Sequence, residues 1–348
     1  MKIKKLVLTF VAAAALCAAS VAGADEAGRF PAPSTVSPEM AAAVNAKAGA
    51  LWYSAPKSAD EWRAMQKGFE ESGGRGAAAL AEKLGVMITE EKIAGVTVRT
   101  LTPKTIDEDK KDKIIYYIHG GGYILGGGGA GTTEGTLMAA LDNYKVVAVD
   151  YRLAPQHPYP AAIDDAFAVY KELVKKYGAR NIAVLGTSTG GAMTLILALQ
   201  CIQGGVPVPA ALISGTPWSD IDKIGDSYAT NDGVDNVLGT YDHLLKAAAE
   251  AYADGADLKE PLVSPVYAKD EELAKFPPTL LVTGTRDLFL SNTARMHKRL
   301  LMNGAAAELL VYEALSHAQY YLVPDAPETK DHYKLMDMFL DEHFLNQD

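Results

Sequence analysis

Residues 186–190 read Gly-Thr-Ser-Thr-Gly and place Ser188 between two glycines at the spacing G-x-S-x-G. An apolar run before them and an Ala-rich apolar stretch after them predict a strand, a tight turn and a helix. Glycines two residues to either side of Ser188 let the backbone turn sharply without a Cβ clash. A serine held at such a turn can act as a nucleophile, provided that the chain supplies a base, an acid and donors for the oxyanion.

Asp287 and His317 are the candidates for the acid and the base. In an open α/β sheet such groups lie at the carboxyl ends of strands, and the acid precedes the histidine in the chain. Asp287 follows the predicted strand 279–282 across a short turn, with a helix cap near Ser291 as its alternative role. His317 follows the last predicted strand in a loop. The other histidines precede Ser188 or lie in helical patterns (His119, His157, His243, His297, His332 and His343).

Glycines that follow another predicted strand, 114–118, are the candidates for the oxyanion site. The motif His119-Gly-Gly-Gly-Tyr123 lets backbone N–H groups approach a small anion closely. In this arrangement the donors are the N–H groups of Gly121, Gly122 and Thr189, whereas the alternative is a plain flexible loop. No group of His, Cys and Glu has metal-site spacing and no H-E-x-x-H occurs, so we expect no metal.

A second glycine run, at 126–131, matches the dinucleotide fingerprint G-x-G-x-x-G. A helical stretch and then a strand that ends at Asp150 follow this run. Asp150 therefore lies at about the spacing of an acid that contacts an adenine ribose. However, seven residues, His119–Leu125, separate the preceding strand from these glycines, while a dinucleotide turn begins almost at once. We therefore predict that the protein uses no cofactor.

Positioning these groups requires a sheet whose strands alternate with helices. Apolar runs of strand length begin at about Val86 and alternate with helical segments, which predicts an α/β fold: a mainly parallel sheet with helices on both faces. The predicted strands are 86–89, 96–101, 114–118, 146–149, 182–185, 211–213, 279–282 and 309–312, the first two as an antiparallel edge hairpin. The predicted helices are 161–176, 190–202, 237–251, 292–302 and 326–344.

Two regions fit this alternation poorly. Residues 38 to about 84 have a helical pattern that Gly73-Gly-Arg-Gly76 should interrupt, and residues 220–261 are too long for a simple crossover. We predict that 25–85 and about 220–261 form a helical cap over the site. Because a cap elaborates one domain, residues 25–348 are expected to form a single domain.

Residues 1–24 have the pattern of a secretory signal peptide, with early lysines, an apolar core and Ala22-Gly-Ala24 before a cleavage point. A membrane anchor and a lipoprotein modified at Cys17 are the alternatives. The signal predicts export, to the periplasm or the exterior. Cys201 is then the one cysteine left, so no internal disulfide can form. The net charge of −10 over 348 residues argues against nucleic acid or an anionic membrane as a partner.

The motif at 119–123 and the turn at 186–191 together resemble the hormone-sensitive lipase family of esterases, in the α/β-hydrolase superfamily. Residues 150–161, with Asp164 and Asp165 after them, and residues 284–288, followed by His317, look like further hallmarks of that family. The likeness covers about Val86 to the C-terminus. It implies an α/β-hydrolase fold with a helical cap.

The resemblance also implies an exported serine carboxylesterase that acts on small to medium esters. Carried over to this sequence, the family's triad and oxyanion hole fall on the candidates named above (Ser188, Asp287 and His317; Gly121, Gly122 and Thr189). Tyr123 and Trp218 are candidates for pocket walls. The expected partner is a small-molecule ester, with no nucleic acid and no stable membrane association after signal cleavage, and a homo-oligomer stays open. A peptidase or amidase, or a catalytically silent binding protein, is the alternative.

Three features depart from the family. Thr187-Ser188-Thr189 stands where the family usually has Asp-Ser-Ala, and Ala-Gln-Tyr follows His317 where glycine and an aromatic residue are usual. The glycine run at 126–129 is also longer than usual. These departures preserve the expected chemistry and leave the substrate open.

Overall fold

The computed structural model describes residues 30–346, so the predicted signal peptide at 1–24 lies outside the described residues. An eight-stranded sheet has the order β1-β2-β4-β3-β5-β6-β7-β8. The strands are β1 (Met87–Ile93), β2 (Val96–Thr102), β3 (Ile114–Ile118), β4 (Lys145–Asp150), β5 (Ile182–Thr187), β6 (Ala211–Gly215), β7 (Thr279–Gly284) and β8 (Ala307–Tyr312). Only β1–β2 and β2–β4 pair antiparallel among them. The predicted α/β fold with an antiparallel edge hairpin is confirmed.

Helices of the described residues join and cover these strands. They are α1 (Pro38–Val44), α2 (Ala59–Leu84), α3 (Thr133–Asp142), α4 (Ala161–Tyr177), α5 (Thr189–Gly204), α6 (Ser227–Thr230), α7 (Lys246–Ala253), α8 (Asp270–Leu273), α9 (Leu290–Met302), α10 (Gln319–Leu322) and α11 (Pro327–Leu340). A π-helical turn, Tyr241–Leu245, leads into α7, and another, Asp341–Leu345, follows α11.

The sheet has a hydrophobic core on each face. Because successive side chains of a strand point to opposite faces, Tyr116 of β3 enters one core and Tyr117 enters the other. The first core contains buried residues of α4 and α5, and the second contains residues of α3 and α11. All five residues of β3 are buried, which is why this strand reads as an unbroken apolar run.

The predicted interruption of the N-terminal helix at Gly73–Gly76 is wrong. α2 runs unbroken through these residues, from an N-cap at Ser58 to Gly85 in the left-handed conformation. A Cβ added to Gly73 would lie 2.9 Å from the Cβ of Ala130 in the loop that precedes α3. The glycines therefore let α2 approach that loop closely, and tertiary packing offsets their poor helix propensity.

The helix predicted at 237–251 begins later, because residues 237–240 form a turn. The backbone N–H groups of Val237 and Leu238 donate to Oδ1 of Asp235 at 2.9 and 3.0 Å. Gly239 then has φ 71°, which a helix cannot accommodate. The side chain of Thr240 caps the π-helical turn that follows.

The two regions predicted as a cap meet the loops at the carboxyl ends of the strands. Gln66 of α2 donates to the carbonyls of Ile124 and Ala154 at 2.9 Å each. Tyr252 of α7 stacks on Tyr123, with ring centroids 3.6 Å apart. Their role as a cap stays a prediction. Within residues 30–346, no helix has the length and apolar character needed to cross a membrane.

Candidate active site

Ser188 lies between β5 and α5 in a strained conformation, with φ 65° and ψ −123°. A positive φ is uncommon outside glycine and persists only where the surroundings enforce it. The Ser188 N–H donates to the carbonyl of Gly215 at 2.8 Å, and the Trp218 N–H donates to the Ser188 carbonyl at 3.1 Å. The residue is partly exposed, unlike its immediate neighbours in the chain.

The glycines on either side of Ser188 are required by packing. A Cβ on Gly186 would lie 2.4 Å from the carbonyl oxygen of Gly190. A Cβ on Gly190 would lie 2.0 Å from the carbonyl oxygen of Ile118, at the end of β3. The turn thus presses against the neighbouring strand, so that only glycine fits at both positions.

His317 and Asp287 meet although 30 residues separate them in the chain. Nδ1 of His317 lies 2.9 Å from Oδ1 of Asp287, and both residues are buried, at 4% and 0% exposure. A carboxylate accepts hydrogen bonds and has none to donate, so this contact assigns the ring proton to Nδ1 and leaves Nε2 free to take up a proton. The Thr283 hydroxyl donates to Oδ2 of Asp287 at 2.8 Å and the Phe289 N–H donates to Oδ1 at 2.9 Å.

The loop after β3 lies directly against the serine turn. A Cβ on Gly120 would lie 2.6 Å from the carbonyl oxygen of Thr187 and 3.0 Å from the Cβ of Ser188. Gly121 and Gly122 have φ of 121° and 66°, so glycine suits both positions.

Among residues 30–346, the amides that the sequence assigned to oxyanion binding make no other hydrogen bond outside regular helix and strand bonding. Within residues 30–346, the N–H groups of Gly121, Gly122 and Thr189 donate neither to a side chain nor, outside regular helix and strand bonding, to a carbonyl. Thr189 is the first residue of α5, and an N–H group at a helix start has no carbonyl of its own helix to bond.

The stretch 150–165 orders this glycine loop through specific bonds. Arg152 makes two bonds of 2.8 Å to the carboxylate of Asp165, and the Ala154 N–H donates to the Tyr123 carbonyl at 2.9 Å. The Tyr151 hydroxyl donates to the His119 carbonyl at 2.8 Å, and its ring stacks on the His119 ring. Burial lowers the pKa of His119, which therefore stays neutral.

Asp150, which had the spacing of a ribose-binding acid, is used inside the protein. Its Oδ1 accepts the Gly128 N–H at 3.0 Å, and its Oδ2 pairs with Arg99 at 2.8 Å. Gly131 is packed so that a Cβ would lie 2.5 Å from the carbonyl oxygen of Gly126. The glycine run therefore folds back on itself and on Asp150.

The two pocket-wall candidates are fully buried. Tyr123 is 0% exposed beneath Tyr252, and Trp218 is 0% exposed and stacks on Phe289 with centroids 5.4 Å apart. The Phe289 ring in turn meets the His317 ring edge to face at 4.8 Å. Trp218 therefore contacts His317 only through the ring of Phe289. The assignment of Tyr123 and Trp218 to a substrate pocket stays a prediction.

Asp235 bonds to the loops of the candidate residues, and the sequence interpretation missed it. Besides its own turn, its Oδ2 accepts the Leu288 N–H at 2.9 Å and the His317 N–H at 3.3 Å. The residue is 0% exposed, and burial first, then the nearby charge of Asp287, raises its pKa. One carboxylate thus joins the loops that carry Asp287 and His317. The only hint in the sequence is the polar stretch 230–236, Thr-Asn-Asp-Gly-Val-Asp-Asn.

Comparison with known proteins gives matches over most of this chain. A family model for the α/β hydrolase fold matches residues 115–321. An acetyl-hydrolase of Streptomyces hygroscopicus is 28% identical over 247 residues, 70% of this chain and 81% of that protein. Esterase LipI of Mycobacterium tuberculosis is 31% identical over 232 residues, 64% of this chain and 70% of that protein.

Solved structures extend the similarity to almost the whole described chain. The crystal structure of esterase E25 has a TM-score of 0.86 at 39% identity and covers 94% of this chain and 99% of its own. That of an esterase from the bacterial hormone-sensitive lipase family has a TM-score of 0.77 at 25% identity, covering 88% and 99%. The similarity is therefore not confined to the central sheet.

Proposed function

The chain belongs to the α/β hydrolase fold family and is a carboxylic ester hydrolase, and we propose that it acts through Ser188, His317 and Asp287 by way of an acyl-enzyme. The observation that carries the proposal is the buried contact of 2.9 Å between His317 Nδ1 and Asp287 Oδ1, together with a serine at positive φ. Each of these features is costly to maintain without a chemical use.

In the first step, Oγ of Ser188 attacks the ester carbonyl while Nε2 of His317 takes its proton. The imidazolium then protonates the departing alcohol, which leaves the acyl group on Ser188. Water, deprotonated by the same Nε2, attacks this acyl-enzyme, and the imidazolium returns the proton to Oγ of Ser188 as the acid leaves. Asp287 holds the ring with its proton on Nδ1 and stabilises the positive charge that forms on it.

The negative charge on the substrate oxygen is received by backbone amides. The N–H groups of Gly121, Gly122 and Thr189 are the donors in this proposal, since none of them is engaged elsewhere among the described residues. They belong to the loop after β3 and to the start of α5, which the glycine contacts press together. Loss of one such donor typically lowers turnover about 10²–10³-fold.

The substrate in this proposal is a small to medium carboxylic ester, and the protein is exported. An acetyl-hydrolase among the relatives supports the first point, and the signal-like residues 1–24 support the second. Mass spectrometry of the protein secreted by a bacterial host checks export: a mature chain that begins at Asp25 supports it. Uncleaved protein in the cytoplasm contradicts it.

Ser188→Ala tests the nucleophile. We expect hydrolysis of p-nitrophenyl butyrate to fall roughly 10⁴–10⁶-fold and labelling by a fluorophosphonate probe to disappear, with the circular dichroism spectrum unchanged. Ser72→Ala is the matched control, because Ser72 lies partly exposed on α2 and its hydroxyl bonds to carbonyls of the same helix. Activity retained by Ser188→Ala would refute the assignment, and faster turnover of a matched amide than of the ester would identify an amidase.

A further inference from the structure

A carboxyl group is buried behind the serine turn. Glu134 of α3 is 1% exposed, and its Oε1 accepts the Thr187 hydroxyl at 2.6 Å. Thr187 is the residue immediately before Ser188. It is also buried, so this bond is made out of reach of bulk water, where a charge-assisted hydrogen bond is strong.

Thr187 also reaches the chain segment that carries the histidine. Its Oγ1 lies 3.2 Å from the hydroxyl of Tyr320, the third residue after His317. When Glu134 is ionised, Thr187 gives its single hydroxyl proton to that carboxylate, so the Tyr320 hydroxyl then donates to Thr187. The bonds therefore run in one direction, from Tyr320 through Thr187 to Glu134.

Gly215 leaves room for this chain of bonds. A Cβ there would lie 2.1 Å from the Tyr320 hydroxyl and 2.5 Å from Oγ1 of Thr187. The carbonyl of the same glycine accepts the Ser188 N–H at 2.8 Å. Gly215 thus both leaves space for the hydroxyls of Thr187 and Tyr320 and holds the backbone of Ser188.

We propose that Glu134 is a positioning residue for ester hydrolysis: through the hydroxyls of Thr187 and Tyr320, it holds the Ser188 turn in register with the segment that carries His317. The inference rests on the proposed function. It also accounts for threonine before Ser188, since an acid at that position would face the carboxyl of Glu134.

The surroundings of Glu134 are rich in hydroxyls. Burial raises its pKa to about 7, against the opposing effect of the hydroxyls of Thr187 and Tyr117. The hydroxyl groups facing it come from β3, α10 and α11 (Tyr117, Tyr320, Tyr321 and Tyr333), and burial followed by the charge of Glu134 raises the pKa of each. His332 of α11 packs against Tyr320 and stays neutral, because burial lowers its pKa to about 3.

The ionisation of Glu134 gives a readout that does not depend on activity. Its folded-state pKa lies above the ordinary value, so the folded protein binds this proton more tightly than the unfolded chain does. The resulting stability is present in acid and is lost as the pH rises through about 7. As the pH is raised from about 5 to about 8, a range that brackets this pKa, the melting temperature of the wild type should therefore fall relative to that of Glu134→Gln.

Three single variants and one double variant test the positioning role by the rate of p-nitrophenyl butyrate hydrolysis. Thr187→Val should lower kcat roughly 10- to 100-fold with little change in KM, since misplacement of a reacting group by about 1 Å has that effect. Glu134→Gln should lower kcat less, because its amide oxygen can still accept from Thr187. Thr187→Ser, which keeps the hydroxyl, should recover most of the rate. The double variant of Thr187→Val and Glu134→Gln should be no slower than Thr187→Val alone, because the two residues act through one chain of bonds.

The pH profile separates positioning from a general structural role. For the wild type, log kcat/KM should rise as the pH passes through about 7, because an ionised Glu134 accepts from Thr187 more strongly than the protonated acid does. This rise should be smaller for Glu134→Gln, whose side chain does not titrate. The controls are Thr136→Val, whose hydroxyl bonds only to the Thr132 carbonyl of the preceding turn, and Asp142→Asn, a buried acid at the other end of α3.

Each outcome decides a different point. A wild type as inactive as Ser188→Ala overturns the proposed function and this inference with it. An active wild type with Thr187→Val as fast as Thr136→Val overturns the inference and leaves the function intact. If Thr187→Val does not fold, Tyr320→Phe, which removes only one oxygen, decides: a kcat within twofold of the wild type overturns the inference.

Discussion

Replacing Asp235 by asparagine should loosen the two loops that carry Asp287 and His317. The carboxylate accepts two N–H groups of its own turn on Oδ1, and those of Leu288 and His317 on Oδ2. An asparagine side chain has one oxygen and one NH₂ group. In either orientation its NH₂ group therefore faces two of these four backbone N–H groups, which lose their acceptor.

The loss in free energy of unfolding comes from the two N–H donors that no longer have an acceptor. Each unsatisfied buried donor costs about 1–3 kcal/mol, which gives about 2–6 kcal/mol for the pair. Removing a buried charge offsets part of this loss, since burial and Asp287 raise the pKa of Asp235. We therefore expect the free energy of unfolding to fall by about 2–4 kcal/mol, a large share of the roughly 5–15 kcal/mol typical of a folded protein.

The pH dependence of this loss has a definite sign. The folded-state pKa of Asp235 lies above its ordinary value, so the wild type gives up stability as the pH rises through that folded pKa. The asparagine side chain does not titrate, so the gap in stability between wild type and Asp235→Asn should narrow from acid to alkaline pH. Urea unfolding in a series of buffers measures this gap directly.

Activity gives the second readout for Asp235→Asn. Because one carboxylate holds both loops, the variant should lower kcat for p-nitrophenyl butyrate while the fluorophosphonate probe still labels Ser188, more slowly. Asp257→Asn is the matched control, since Asp257 is exposed and its Oδ1 accepts the N–H of Lys259 two residues further on. An Asp235→Asn protein with wild-type kcat and a free energy of unfolding within about 0.5 kcal/mol of the wild type would refute the reasoning.

Two further substitutions test the packing around Ser188. Thr187→Asp should be poorly active, because two carboxyl groups would then meet behind the serine turn. Adding Glu134→Gln should restore activity, because the glutamine amide can donate to the new carboxylate. A double variant without recovered activity would argue against this account. Gly190→Ala should lower stability by at least about 1–3 kcal/mol, since its Cβ would lie 2.0 Å from a backbone carbonyl. Gly76→Ala is the control, since no atom lies within 4 Å of the Cβ that it adds, and it should be neutral or stabilising by about 0.5–1 kcal/mol. Thermal melts compare the two alanine variants, and equal effects of Gly190→Ala and Gly76→Ala would contradict the contact geometry.

Local patterns in the sequence predict much of the scaffold. The predictions for strands β3, β5 and β7 agree with the structure within two residues at each end, because strands buried on both faces appear as short apolar runs bounded by turns. Helix starts also agree where apolar periodicity is strong, as for α4 at Ala161. These features depend on neighbours in the chain, which a sequence displays directly.

Two local predictions are wrong because a tertiary contact overrides the local preference. The glycines at 73–76 favour a break, yet close packing of Gly73 against Ala130 keeps α2 continuous. Residues 237–240 favour a helix, yet the carboxylate of Asp235 takes up their N–H groups and the turn ends at Gly239. In both cases the deciding partner is absent from the periodic pattern that supports the prediction.

The sequence by itself determined the order and spacing of Ser188, Asp287 and His317, since each follows a recognisable strand. It also determined where glycine is needed, because a sharp turn restricts the backbone locally. Only the tertiary structure decided which other carboxyls lie beside these candidate residues. Glu134 lies 53 residues from Thr187, and Asp235 lies 82 residues from His317. Contacts at such separations arise when the sheet brings strand ends together, and the residue types alone do not mark them.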